Sequence, residues 1–150
     1  MKGQAYFYKV FKGLVLGFDM CEAAFMAYMA NLAERRNRGY VTVCSLKVHL
    51  AATGMGRRTF ERYAGRSIRM GLLEKVPVDG KYDYIWDMTA YLRLVEILSA
   101  TSNPARLRTF CKEVFETQGR KVLSITDDEK LRLEAVSYTH LRAHETCADL

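Results

Sequence analysis

The dipeptide Asp79-Gly80 stands between two runs of strand-forming residues, 72–76 and 82–86. Asp-Gly suits the type I′ turn, which needs positive φ at both central positions and whose twist matches that of a two-stranded ribbon. The chain is therefore expected to double back here as a hairpin. The flanking sequence is patterned for helices, so the expected fold class is mainly α with a small β-hairpin.

Upstream of the hairpin, Asp19 and Glu22 form an Asp-x-x-Glu variant of the capping box, with Phe18 and Ala23 as a staple. Phe25, Met26, Met29, Leu32 and Ala33 recur at three- and four-residue steps, predicting a helix to about Arg36 that ends at Gly39. Residues 40–43, Tyr-Val-Thr-Val, predict a short strand. Ser45 is placed to cap a short helix carrying Leu46, Leu50 and Thr53, stopped by Gly54. After a Gly54-Met55-Gly56 turn, a third helix is expected from Arg57 to about Met70, closed by Gly71. Downstream, Thr89 is expected to cap a helix over 90–99, and Pro104 to open another. The stripe Leu107, Phe110, Cys111, Val114, Phe115 lies on the latter, which Gly119 ends. Thr126 and Glu129 form a further capping box. Residues 6–16 mix aromatics and valines and read as an extended lead-in or short strand.

Of the 150 residues, 49% are hydrophobic and 27% charged, enough for one domain with its own core. The most apolar window, 14–30, is broken by Asp19 and Glu22, so no membrane span is expected. The N-terminus lacks the pattern of a signal peptide, which predicts a cytoplasmic protein. Cys21, Cys44, Cys111 and Cys147 contain no CxxC pair and are expected as reduced thiols, three of them packing as small apolar residues. No acid/base pair, phosphate loop or nucleophile constellation is present in residues 1–135, so neither an enzyme nor a bound cofactor is expected. His49 lies on a mostly apolar face and reads as a packed residue.

The tail stands apart. Val136 to Thr146 reads V-S-Y-T-H-L-R-A-H-E-T and resembles translated read-through of a sequencing-library adaptor. Residues 136–150 are accordingly expected to be non-native, with the natural chain truncated near Ala135. His140, His144 and Cys147 have ligand-like spacing but fall in this tail, so no metal site is expected.

The order of helix, strand, helix, tight glycine turn, helix and hairpin is that of a winged helix-turn-helix. The residues carrying the likeness are Ser45-Leu-Lys-Val-His-Leu-Ala-Ala-Thr-Gly-Met-Gly-Arg-Arg-Thr-Phe-Glu-Arg, followed by Met70-Gly71-Leu72-Leu73-Glu74. In this respect the chain resembles the winged helix domains of bacterial transcription regulators and of replication initiators on plasmids and mobile elements. Gly56 replaces the usual serine cap, and Ala64 and Ser67 replace buried leucines. The resemblance implies four segments: a lead-in (1–17), a winged helix-turn-helix (18–88), a helical appendage open to homodimerisation (89–135), and the tail (136–150).

Charge supports the same reading. Between Glu34 and Lys75 there are ten basic and three acidic residues, a net +7 equal to that of the whole of residues 1–135. At about 100° per residue, Phe60, Ala64, Ser67 and Gly71 share one face of the third helix, with Ile68 at its edge. Arg58, Arg62, Gly65 and Arg69 share the opposite one. The resemblance then implies roles on double-stranded DNA. Arg58 and Arg62 would read base edges, and Glu61 would accept from a cytosine amine. Arg57 and Thr59 would meet phosphates near the helix N-terminus. Arg66, Arg69 and Lys47 would hold flanking backbone. Lys81 at the wing tip, with Lys75, would reach the neighbouring minor groove or its phosphates. Tyr82, Tyr84 and Trp86 read as hairpin packing. The first functional expectation is transcription regulation by sequence-specific duplex binding. An origin-binding replication-initiator module is the second, and a winged helix used for protein–protein contact the third.

Overall fold

A computed structural model describes residues 8–36, 40–41 and 46–134 of the chain. The described helices before the hairpin are α1 (Lys12–Gly17), α2 (Met20–Arg36), α3 (Leu46–Thr53) and α4 (Arg57–Arg69). The strands are β1 (Tyr40–Val41), β2 (Leu73–Val78) and β3 (Lys81–Trp86). Beyond them lie α5 (Met88–Leu98) and α6 (Pro104–Cys111), which runs on as a π-helical turn over Lys112–Thr117. A 3₁₀ turn at Val122–Ser124 leads into α7, residues 127–134. The described residues are mainly helical, with one small antiparallel sheet in their middle.

The hairpin forms where Asp79-Gly80 demands it. Asp79 has φ 47° and Gly80 φ 76°, both left-handed, and β2 pairs β3 from Leu73 opposite Trp86 to Val78 opposite Lys81. β1 adds to the other side of β3, with Tyr40 opposite Ile85 and Val41 opposite Tyr84, giving the order β1-β3-β2. The entry to β2 is set by Gly71, at φ 79°. The Leu72 amide donates to the Ser67 carbonyl at 2.9 Å and the Gly71 amide to Ile68 at 3.1 Å, the paired bonds of a Schellman motif. The end of α4 thus fixes the direction in which the hairpin leaves.

Other helix ends follow side-chain chemistry. Asp19 Oδ1 accepts from the Glu22 amide at 2.7 Å at the start of α2. Asn103 accepts from the Arg106 amide, with Pro104 opening α6. Thr126 and Glu129 make the reciprocal capping box, each accepting from the other's amide at 3.2 Å. α5 departs from expectation: Asp87, not Thr89, caps it, accepting from the Ala90 amide at 2.9 Å. The Asp87 amide is itself tied to the Leu72 carbonyl at 2.8 Å, so the helix starts directly where the strand ladder ends.

Two further expectations are corrected. Residues 12–17, expected as lead-in or strand, form α1, because Gly13 and Gly17 let that turn lie against α5 and α6. A Cβ on Gly13 would stand 2.6 Å from the Leu98 carbonyl oxygen, and one on Gly17 2.8 Å from Cys111 Sγ. The 89–135 segment is no appendage. Leu94, Ile97, Leu98, Leu107, Val114, Phe115, Val122 and Leu133 belong to the same buried cluster as Leu14, Phe25, Met29, Phe60 and Trp86. The α6 stripe is consumed by that core, which removes it as a support for homodimerisation. Of the cysteines, Cys111 is buried as expected of a packed thiol and Cys21 is exposed. Arg38, Gly39, Thr42, Val43, Cys44, Ser45 and the tail with His140, His144 and Cys147 lie outside the described residues. Among the described residues, no helix is long and apolar enough to cross a membrane.

Because the Gly13 contact is with backbone, Gly13→Ala must displace α1. It is expected to lower stability by about 1–3 kcal/mol, read as a fall in the urea midpoint at unchanged slope.

Candidate nucleic-acid interface

α4 is strongly amphipathic, and its orientation follows from what it buries. Phe60, Tyr63, Ala64 and Ser67 face the core. Phe60 sits edge-on to Phe25 of α2, centroids 5.1 Å apart, and Tyr63 packs on the same ring at 5.9 Å. Tyr63 was not among the expected buried residues, and it supplies the bulk that Ala64 and Ser67 lack. On its other side Phe60 stacks against His49 of α3, 5.6 Å away at 11°. His49 is fully buried and shares a 2.6 Å hydrogen bond between Nδ1 and the Tyr28 hydroxyl. It is a packed core residue that fixes α3 against α2 and α4.

With that face buried, Arg58, Arg62 and Arg69 are exposed on the other. Gly65 lies between them; a Cβ there would meet nothing nearer than Arg69 Nη1 at 3.6 Å. The Arg62 guanidinium stands 5.1 Å from the Tyr63 ring centroid and donates to the Tyr63 hydroxyl at 3.4 Å. Arg57 Nε pairs with Glu61 Oε1 at 3.2 Å, both ends in solvent. Such an exposed i,i+4 pair contributes about 0.3–0.5 kcal/mol, weak enough to open for another partner. Thr59 is half-buried beside them, and Lys47 is exposed on α3. On β2, Lys75 holds its ammonium 4.2 Å from the ring centroid of Tyr82, which is itself exposed. Lys81 opens β3 at the hairpin tip; its side chain lies outside the described part.

Arg66 departs from its expected role. Its Nε is 3.0 Å from Glu22 Oε2 on α2, its Nη1 is 3.0 Å from Glu116 Oε1 in the π-helical turn, and its guanidinium carbon lies 5.7 Å from the Phe18 ring centroid. Only a quarter of its side chain is exposed. Arg66 is thus an internal tether and not a free backbone contact. A sequence signal existed: Glu22 falls four residues before Met26 on the buried stripe of α2, where a carboxylate requires a cation. Burial pushes Glu22 up to about 7, although Arg66 pulls the other way.

Compared with known proteins, the chain matches no family model, no curated protein and no solved structure.

Gly65→Ala is expected to raise stability by about 0.5–1 kcal/mol in urea denaturation, since a helix-interior glycine is replaced with no clash. His49 gives a pH signature. Burial lowers its pKa below the usual 6.5, so the unfolded chain protonates first. Stability from this residue is intact above pH 6.5 and is lost as pH falls through the folded value. Thermal midpoints from pH 7 to 5 should fall more steeply for the wild type than for His49→Phe.

Proposed function

We propose that residues 18–88 form a winged helix that binds double-stranded DNA sequence-specifically, and that the protein serves as a transcription regulator. α4 is the recognition helix and β2–β3 the wing. The observation that carries the reading is an exposed cationic face whose arginines are in no ion pair among the described residues. Arg58, Arg62 and Arg69 share the outer side of α4, while Glu61 is paired with Arg57 on the same helix, and Glu22 and Glu116 are paired with Arg66.

The element order adds support, since β1 pairs with β3 and α3 precedes α4 across a tight turn. A helix of this diameter fits the major groove, and Gly65 keeps the middle of its outer face low. Arg58 and Arg62 are the base-reading residues, each able to pair bidentately with guanine, and Glu61 suits a cytosine amine once Arg57 turns to a phosphate. Thr59, Arg69 and Lys47 flank them for backbone contact. Lys75 on β2 and Lys81 at the wing tip are assigned to the adjoining groove or its phosphates. Arg66 is left out of the contacting set.

Fluorescence anisotropy with a mixed-sequence duplex, titrated with salt, tests the reading. Binding at about micromolar affinity in low salt is expected, with affinity falling steeply as salt rises because phosphate contacts release counterions. Arg58→Ala/Arg62→Ala should weaken binding at least about tenfold, each arginine contributing about 1–3 kcal/mol, with unchanged circular dichroism. A folded wild-type chain that binds no duplex at low salt overturns the reading in favour of a protein-interaction module.

A further inference from the structure

Behind the exposed arginines, one acid–base cluster joins α2, α4 and the π-helical turn. Glu22 is only 2% exposed, on the apolar stripe of α2. Its one close cation, Arg66 Nε at 3.0 Å, is not aligned for a hydrogen bond, and Glu22 Oε2 has no hydrogen-bond partner. Glu116 holds the same guanidinium from the other side. The cluster therefore places two carboxylates around one arginine, with the deeper of them poorly satisfied. A buried carboxylate in this position is held more easily with a proton than without one.

We propose that Glu22 makes the DNA-contacting face of α4 proton-sensitive: on taking up a proton it removes a negative charge from behind Arg62 and Arg66, and binding to the polyanion strengthens. The inference rests on the DNA-binding reading. It follows from linkage: phosphates brought to α4 disfavour a nearby negative charge, so duplex binding and proton uptake at Glu22 must promote each other. The groups facing Glu22 all bear on this. Burial raises its pKa most; Asp19 at the start of α2 and Glu116 in the π-helical turn raise it too, and Arg66 and Arg62 of α4 lower it. Cys111 of α6 is pushed up by burial and by Glu22, so its thiol stays uncharged. The balance puts Glu22 at about 7, whereas an unperturbed glutamate titrates near ~4.3. His49, on α3, is shifted downward, away from neutrality.

The test combines carbon-13 NMR titration of the Glu22 carboxyl in the full chain with duplex anisotropy at pH 6, 7 and 8 and constant ionic strength. The carboxyl is expected to titrate near neutrality, and higher with DNA bound. Wild-type affinity should fall about fivefold from pH 6 to 8, while Glu22→Gln stays near the pH 6 value throughout. A carboxyl titrating in the ordinary glutamate range overturns the proposal and leaves DNA binding intact, as does affinity independent of pH. Neutral-range titration in a folded chain that binds no duplex at any pH overturns both readings. If Glu22→Gln does not fold, calorimetry of wild-type binding in buffers of different ionisation enthalpy decides. Proton uptake at pH 7 supports the proposal, and its absence overturns it.

Discussion

Phe60 is the contact on which the arrangement around the hairpin depends. Its ring meets Phe25 on one side and the imidazole of His49 on the other, so one side chain ties α4 to both α2 and α3. Each aromatic pair contributes about 0.5–1.5 kcal/mol beyond its burial, and removing such a ring from a core costs about 3–5 kcal/mol. More consequential than the energy is the rotation it imposes. At 3.6 residues per turn, a helix that buries Phe60, Tyr63, Ala64 and Ser67 has no choice but to present Arg58, Arg62 and Arg69 to solvent. The exposed cationic face is a by-product of aromatic packing.

The same helix carries a charge inward at Arg66, and this has a structural cost. Breaking one partner out of a buried ion pair is worth about 3–5 kcal/mol, because the remaining charge is left without compensation. Here the compensation is divided: Arg66 serves Glu22 and Glu116 at once, and Glu22 is left short of a hydrogen bond. The cluster joins α4 to the C-terminal segment, which is why residues beyond the hairpin matter to the helix before it. Arg120 paired with Glu129, and Arg93 paired with Asp127, then fasten the last described helix onto the same body.

What was legible in the sequence was local. The left-handed turn at Asp79-Gly80, the glycine stop at Gly71, the Asn103-Pro104 start and the Thr126/Glu129 capping box each need only neighbours within a few residues, and each stands where the pattern placed it. The burial of Phe60, Ala64 and Ser67 was also legible, because helical periodicity alone sorts the two faces. The misplaced features depend on distant partners. α1 carries two glycines in six residues, a poor local signal for a helix, and only contact with Leu98 and Cys111 some ninety positions away makes those glycines useful. The α5 cap stands at Asp87 and not at Thr89, where the Asp87 amide is held by the Leu72 carbonyl across the hairpin.

The sequence by itself determined the hairpin, the order of helices from Asp19 onward, and which side of α4 would be cationic, since turn chemistry and a 3.6-residue period act over one or two turns of chain. Only the tertiary structure decided that α1 is a helix, that the C-terminal helices share one core with the rest, and that Arg66 faces a buried glutamate. Those outcomes turn on close approach and on the pairing of buried charge between segments far apart in sequence. The energies that select them exist only once the segments have met.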